Sequence, residues 1–93
     1  KWQRRLPDGK FFANVGVIGR PENDGRTNVW YSIVHFTPEL QIEYRALEYD
    51  HQRLAREMKE EKLPQEFIDT VRAGWWTTCL EILPGKERAR GKF

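Results

Sequence analysis

Residues 37–61 read TPELQIEYRALEYDHQRLAREMKEE, and neither glycine nor proline follows Pro38 in this stretch. Threonine is a preferred helix N-cap, and proline is well tolerated at the first helical position. Glu39 would complement the positive end of a helix dipole. These signals predict a helix from Pro38 to about Glu61, which would be about 36 Å long.

The apolar residues of this predicted helix follow alternating spacings of four and three. Such spacing is typical of an apolar line along one side of a long helix. A two-stranded hairpin cannot cover a line of this length, so we expect a second helix or a second copy of the chain to pack on it. The line consists of Leu40, Tyr44, Leu47, His51, Leu54 and Met58.

Two segments before the predicted helix have the composition of strands. Lys10–Gly19 and Asn28–Phe36 are rich in β-branched and aromatic residues. The residues between them, 20–27, are mostly polar and contain an Asp-Gly turn pair. We therefore predict a β-hairpin with a long, mobile tip flanked by Arg20 and Arg26. A turn is also predicted at residues 6–10, which contain Pro and Asp-Gly.

The segment after Leu63–Pro64 has two interpretations. Apolar residues at helical spacing continue through Gly74 and predict a second helix that ends at Pro84–Gly85. The alternative ends this helix at Gly74 as a C-cap and makes residues 75–83 a strand, which the tryptophan pair and two threonines favour. Because the periodicity is unbroken, the longer helix is preferred. Its apolar positions are Phe67, Ile68, Val71, Trp75, Cys79 and Ile82.

These elements predict one small α+β domain over residues 1–93: a β-hairpin, with a third strand as an option, packed on two antiparallel helices. The length suits one domain and not two. A domain of this size hides only roughly 60–65% of its unfolded surface. Packing against a second copy or a partner protein would relieve this shortage.

The charge of the chain is unevenly distributed. The net charge is +2, yet residues 1–10 and 84–93 each contain four basic residues and one acidic residue. The body between them contains eight basic and twelve acidic residues. Basic N- and C-terminal tails are typical of proteins that contact nucleic acids, and also of solubilising tails.

The sequence contains no pattern that indicates catalysis or metal binding. Cys79 is the single cysteine and lies in an apolar stretch, which excludes an internal disulfide and favours an intracellular protein. Together with His35 and His51 it does not match zinc-ligand spacing. Phosphate-loop motifs and apolar runs of about 20 residues are absent, and we expect no signal peptide. We predict no catalytic residue, no metal, no cofactor and no membrane partner.

Two functions remain. The first is a non-enzymatic DNA- or RNA-binding protein, expected to be dimeric, that uses its basic ends and the hairpin tip. Exposed Trp2, Trp30 or Tyr31 could stack on unpaired bases. The predicted nucleic-acid contacts are Arg4, Arg5, Lys10, Arg20, Arg26, Lys86, Arg88, Arg90 and Lys92.

The alternative is a protein–protein interaction module that acts as a regulator, an inhibitor or a subunit of a larger assembly. Adjacent tryptophans on a helix point about 100° apart, so one of them would face a partner. The predicted interface consists of Tyr44, Leu47, His51, Leu54, Met58, Trp75 and Trp76.

Overall fold

Two antiparallel β-hairpins precede three α-helices in the computed structural model, which describes residues 1–90. This arrangement confirms the α+β class, with two hairpins in place of the one predicted. The elements are β1 (Trp2–Arg5), β2 (Phe11–Asn14), β3 (Val29–His35), β4 (Gln41–Leu47), α1 (His51–Glu60), α2 (Gln65–Ala73), a 3-10 turn (Leu80–Ile82) and α3 (Gly85–Arg90).

The predicted helix over residues 38–61 is wrong in its first half. Residues 41–47 form β4, and α1 begins only at His51. The true N-cap is Asp50, whose Oδ1 accepts a hydrogen bond from the Arg53 amide at 3.0 Å. The apolar spacing of residues 41–47 fits both a helix and a strand. Pairing of all seven residues with β3 favours the strand, and local propensity does not reveal this pairing.

Strand pairing also differs from the prediction. β2 pairs with β1, from Trp2 opposite Asn14 to Arg5 opposite Phe11, and not with β3. The predicted turn at residues 6–10 closes this hairpin, where the Gly9 amide donates to the Leu6 carbonyl at 2.9 Å. The basic N-terminal segment, predicted as a tail, is therefore a strand. β3 pairs with β4 instead.

Helices α1 and α2 pack against each other and form the apolar core. Ala55, Ile68 and Val71 are fully buried at this contact, and Leu54 and Met58 pack partly buried beside them. The last part of the predicted apolar line therefore does face a helix of the same chain. Helix α2 supplies the cover that a hairpin could not.

The second helix ends at Gly74, so the preferred prediction of a helix to residue 83 is wrong. Gly74 has the left-handed φ of 74°, and its amide donates to the Thr70 carbonyl at 2.9 Å. The C-cap of the alternative interpretation is thus correct, but its strand is not. Residues 75–79 are irregular, and Leu80–Ile82 form the 3-10 turn.

The loop at residues 20–28 contains the segment 20–27 that was predicted as a mobile hairpin tip, and it is anchored in the fold. The Asn23 side chain is 0% exposed. Its Oδ1 accepts from the Trp76 amide at 2.9 Å, and its Nδ2 donates to the Glu87 carbonyl at 2.9 Å. Trp76 is buried and donates its Nε1–H to the Pro21 carbonyl at 2.8 Å. We call residues 20–28 the anchored loop.

The molecule is elongated, with extents of 47 × 26 × 19 Å and a radius of gyration of 15.6 Å. A compact domain of this length would have a radius of gyration of about 12 Å. The elongated shape leaves a large share of the aromatic and aliphatic side chains at the surface. None of the helices within residues 1–90 is long and apolar enough to cross a membrane.

Candidate nucleic-acid interface

The β1–β2 hairpin presents aromatic and cationic side chains together on one exposed face. Its register places Trp2, Arg4, Phe12 and Asn14 on the same side. The rings of Trp2 and Phe12 stack with centroids 5.0 Å apart and an angle of 23° between their planes. The two residues remain 42% and 52% exposed. We call Trp2, Arg4 and Phe12 the aromatic platform.

The opposite side of the same hairpin carries further cations. The Arg5 guanidinium lies 4.3 Å from the centre of the Phe11 ring, which it faces across the two strands. Lys10 is exposed in the turn and pairs loosely with Asp8 at 3.4 Å. All three predicted contacts of the N-terminal segment, Arg4, Arg5 and Lys10, therefore lie at the surface of one short ribbon.

A cleft of about 410 Å³ opens beside the platform. The hairpin contributes Trp2 and Asn14 to its wall, so the cleft and the platform share a residue. The anchored loop forms a second wall, and the segment from the 3-10 turn to α3 forms a third. We call this space the loop cleft. Its polar and aromatic lining includes Arg20, Glu22, Asp24, Arg26, Asn28, Trp30 and Glu87.

Charges of both signs line the loop cleft. Lys1, Arg20 and Arg26 face Glu22, Asp24 and Glu87. The Lys1 ammonium lies 3.7 Å from the centre of the Trp30 ring.

Two of these carboxylates are held by neighbouring donors. Asp24 Oδ1 accepts from the Arg26 amide at 3.1 Å. Burial opposes ionisation of Glu22, but the hydrogen bond from the Lys1 α-amino group and the nearby positive charges keep the pKa of its carboxyl below the ordinary value.

Three of the predicted nucleic-acid contacts bind backbone carbonyls of the chain itself. Arg20 donates to Ile82 at 3.3 Å, and Arg90 donates to Glu22 at 3.0 Å. Arg88 donates to two carbonyls, those of Glu81 at 3.3 Å and Leu83 at 3.1 Å. These arginines tie the C-terminal segment to the anchored loop and to itself.

Of the three remaining predicted nucleic-acid contacts, two are exposed at the surface and one lies outside residues 1–90. Lys86 is exposed on α3, and the exposed Arg26 lines the loop cleft. Lys92 lies outside the described residues. Because Lys1 contacts Glu22, as does Arg90, the two basic ends meet at the anchored loop.

The predicted protein interface is not one continuous surface. The Tyr44 hydroxyl donates to the Trp2 carbonyl at 2.7 Å and so joins the two hairpins. Leu47 is exposed at the end of β4, whereas His51, Leu54 and Met58 are half-buried on α1.

Both tryptophans of the predicted interface contact the anchored loop. Trp76 is buried, and Trp75 packs so close to Gly25 that a Cβ there would lie 3.0 Å from its ring. Helix α2 ends at Ala73, so the two tryptophans do not lie on a helix as the prediction assumed. Trp75 is half-buried, and its contact with a partner stays a prediction.

His35 belongs to a charged group with Glu43 and Arg45 on the β3–β4 hairpin. His35 Nε2 lies 3.1 Å from Glu43 Oε2 across the β3–β4 hairpin, and Arg45 donates to the other oxygen of Glu43 at 2.9 Å. The hydrogen bond with His35, and to a smaller extent the one from Arg45, hold the pKa of the Glu43 carboxyl below its ordinary value. Within residues 1–90, no group of three or more His, Cys, Asp or Glu side chains is arranged to hold a metal ion.

Sequence reasoning singled out Trp2 but missed Phe12 and Asp24. Phe12 becomes a neighbour of Trp2 only through the β1–β2 register. The turn at residues 6–10 was the signal that could have revealed this pairing, because it joins two short segments that both carry aromatic residues. No local signal marks Asp24 as part of a cleft wall.

Comparison with protein-family models, curated proteins and solved structures found no match to this chain.

Proposed function

We propose that this protein binds single-stranded DNA or RNA, without catalysis, through the β1–β2 hairpin. One observation carries the proposal: the exposed Trp2–Phe12 stack shares its face with Arg4. Proteins that bind unpaired strands combine aromatic rings for the bases with cations for the backbone. The intracellular location that a single cysteine favours is compatible with this role.

The energetics favour a single strand over a duplex. Each base stacked on an aromatic ring contributes roughly 1–3 kcal/mol, and stacking requires that the base be unpaired. The pairing of Arg4, Arg5 and Lys10 with phosphates would release counterions and make the affinity fall with salt. Exposed rings add nothing comparable for a closed duplex, whose bases are already stacked on each other.

Titration of a fluorescein-labelled, mixed-sequence single-stranded DNA at low and moderate salt tests the proposal. We expect binding that weakens as salt rises, and we expect Phe12→Leu to lower the affinity about tenfold. Phe67→Leu is the matched control, since Phe67 is an exposed phenylalanine on α2, away from the platform. Absence of binding at low salt, or an equal loss for both variants, would overturn the proposal.

A second candidate function, self-association, rests on the far end of the β3–β4 hairpin. Phe36, which directly follows β3, is 77% exposed, and Val34, two residues earlier in β3, is also exposed. Within residues 1–90 each sheet has only two strands, so the outer edges of β3 and β4 are unpaired. Two copies could pair edge to edge and cover both side chains.

Sedimentation over a range of concentrations tests self-association. We expect a dimer that Phe36→Ser weakens and that Phe67→Ser leaves unchanged. A monomer at the highest concentration would exclude it.

A further inference from the structure

We propose that the loop cleft holds one unpaired nucleobase of the strand that lies on the aromatic platform, and that it prefers a base with an exocyclic amino group. The inference rests on the proposed function for the presence of the strand. It adds a defined pocket and a base preference, neither of which the platform alone would give.

The size and position of the cleft suit a base. Its volume of about 410 Å³ lies at the lower end of small-molecule sites, which span roughly 300–1,000 Å³. Trp2 and Asn14 belong both to the platform face and to the cleft wall. A nucleic-acid strand whose base stacks on Trp2 therefore lies directly beside the cleft, because Trp2 also lines the cleft.

The charge balance of the cleft favours a base over a phosphate. Lys1, Arg20 and Arg26 are opposed by Glu22, Asp24 and Glu87, so a phosphate in the cleft would meet carboxylates. A nucleobase is neutral and presents donors and acceptors, which a wall of mixed polar groups can satisfy. The phosphates would remain outside, next to the exposed guanidinium group of Arg4 on the platform.

The carboxylate of Asp24 gives the preference among bases. Its Oδ1 accepts from the Arg26 amide at 3.1 Å, which leaves Oδ2 to accept a further hydrogen bond, and Asp24 lines the cleft. Carboxylates accept hydrogen bonds from exocyclic amino groups, as with N4 of cytosine. Cytosine, adenine and guanine carry such a group, whereas thymine and uracil do not.

Asparagines on two walls can bind the rest of the base. Asn14 Oδ1 accepts from the Gly16 amide at 2.8 Å, which leaves its amide N–H groups to donate. Asn28 donates to the Val29 carbonyl at 3.1 Å, which leaves its carbonyl oxygen to accept. The cleft therefore offers acceptors and a donor at fixed positions, as base recognition requires.

Chemical-shift titration of the whole chain with dCMP, dTMP and 2-deoxyribose 5-phosphate tests the pocket directly. We expect dCMP to shift the amide of Asp24, the side-chain amide of Asn28 and the indole N–H of Trp30, and to bind about tenfold more tightly than dTMP. The sugar phosphate should leave these signals unmoved. Equal shifts with all three compounds, or none with dCMP, would overturn the inference.

Asp24→Asn tests the preference. The side-chain oxygen of the new asparagine still accepts from the Arg26 backbone amide, but its NH₂ group puts a donor where Asp24 has its second acceptor. We expect this variant to keep its thermal stability and lose the preference for dCMP over dTMP, while Asp69→Asn on α2 retains it. A preserved preference in Asp24→Asn would contradict the assignment to Asp24.

The oligonucleotide experiment separates this inference from the proposed function. If single-stranded DNA binds but oligothymidine binds as tightly as oligodeoxycytidine of the same length, the platform stands and the pocket fails. If dCMP occupies the cleft and oligonucleotides do not bind, the pocket stands and the platform fails.

Discussion

The β1–β2 hairpin and the anchored loop both contain arginine residues and an Asp-Gly pair, but their arginines have different surroundings. In the loop, Asn23 is fully buried, and Arg20 donates to the carbonyl of Ile82. In the hairpin, Arg4 and Arg5 are exposed, and a hydrogen bond from Tyr44 to the Trp2 carbonyl joins the hairpin to β4. Composition thus does not tell whether an arginine contacts the fold or remains exposed.

The physical difference lies in the carbonyls that surround each arginine. Residues 75–84 are largely irregular, so several of their carbonyls have no partner in a helix or sheet. Arginine side chains from the loop and from α3 satisfy some of them. The carbonyls of β1 and β2 can pair with each other, so the arginines of the hairpin remain available.

Gly74→Ala should have the largest effect on the loop side of this comparison. Its Cβ would lie 2.4 Å from the Arg26 carbonyl oxygen, and its φ of 74° is unfavourable for alanine. We expect a loss of about 3–5 kcal/mol in the free energy of unfolding, measured by urea denaturation. Gly9→Ala separates strain from the clash: its φ is 84°, with nothing within 4 Å, so it should cost about 1 kcal/mol. Equal costs would mean that the contact with Arg26 is unimportant.

Asn23→Ala should follow, with a loss of about 2–4 kcal/mol, because the buried Trp76 amide and the part-buried Glu87 carbonyl both lose their partner. Asn14→Ala is the control, since Asn14 makes its hydrogen bond to the Gly16 amide at an exposed turn. If both variants unfold at the same urea concentration, the hydrogen bonds of Asn23 do not anchor the loop.

Replacing Arg88 of α3 and Arg4 of the hairpin, each by glutamine, tests whether their contributions to stability and to DNA binding differ. Arg88→Gln should lose about 1 kcal/mol of stability, because Arg88 donates to two carbonyls, and should leave DNA binding unchanged. Arg4→Gln should do the reverse: the same stability, weaker binding, and a slope of log affinity against log salt reduced by about 0.7. The two measurements are urea denaturation and fluorescence titration. The same effect from both variants would remove the distinction.

The smallest expected effect concerns Glu43, which pairs with His35 and Arg45 on an exposed sheet face. Its pKa in the folded state is lowered, so its contribution to stability is present at neutral pH and is lost as the pH falls through that lowered value. We expect His35→Ala to raise the pKa of Glu43 towards its ordinary value in an NMR titration, whereas His51→Ala leaves it unchanged. An unmoved pKa in His35→Ala would show that the hydrogen bond is not its cause.

Features of the candidate site could be predicted to different degrees. Trp2 and the N-terminal cations could be proposed from residue type alone, because aromatic and basic residues are those that proteins use on unpaired strands. Phe12 was missed because it meets Trp2 only through the β1–β2 register, and Asp24 because the cleft that it lines forms only when distant segments come together. The apolar line from Leu40 to Met58 was wrong as a single surface, because its first half lies in a strand and its second half in α1.

The α+β class, the turn at residues 6–10, the helical character of residues 51–60 and the option of a helix end at Gly74 follow from local properties of the chain. These properties are turn residues, apolar spacing and the freedom of glycine at positive φ. The pairing of the strands and the burial of Asn23 depend instead on contacts between distant segments. Residues 41–47 can form a helix or a strand, and β3 decides between them; Asn23 is buried because Trp76, 53 positions later, donates to it.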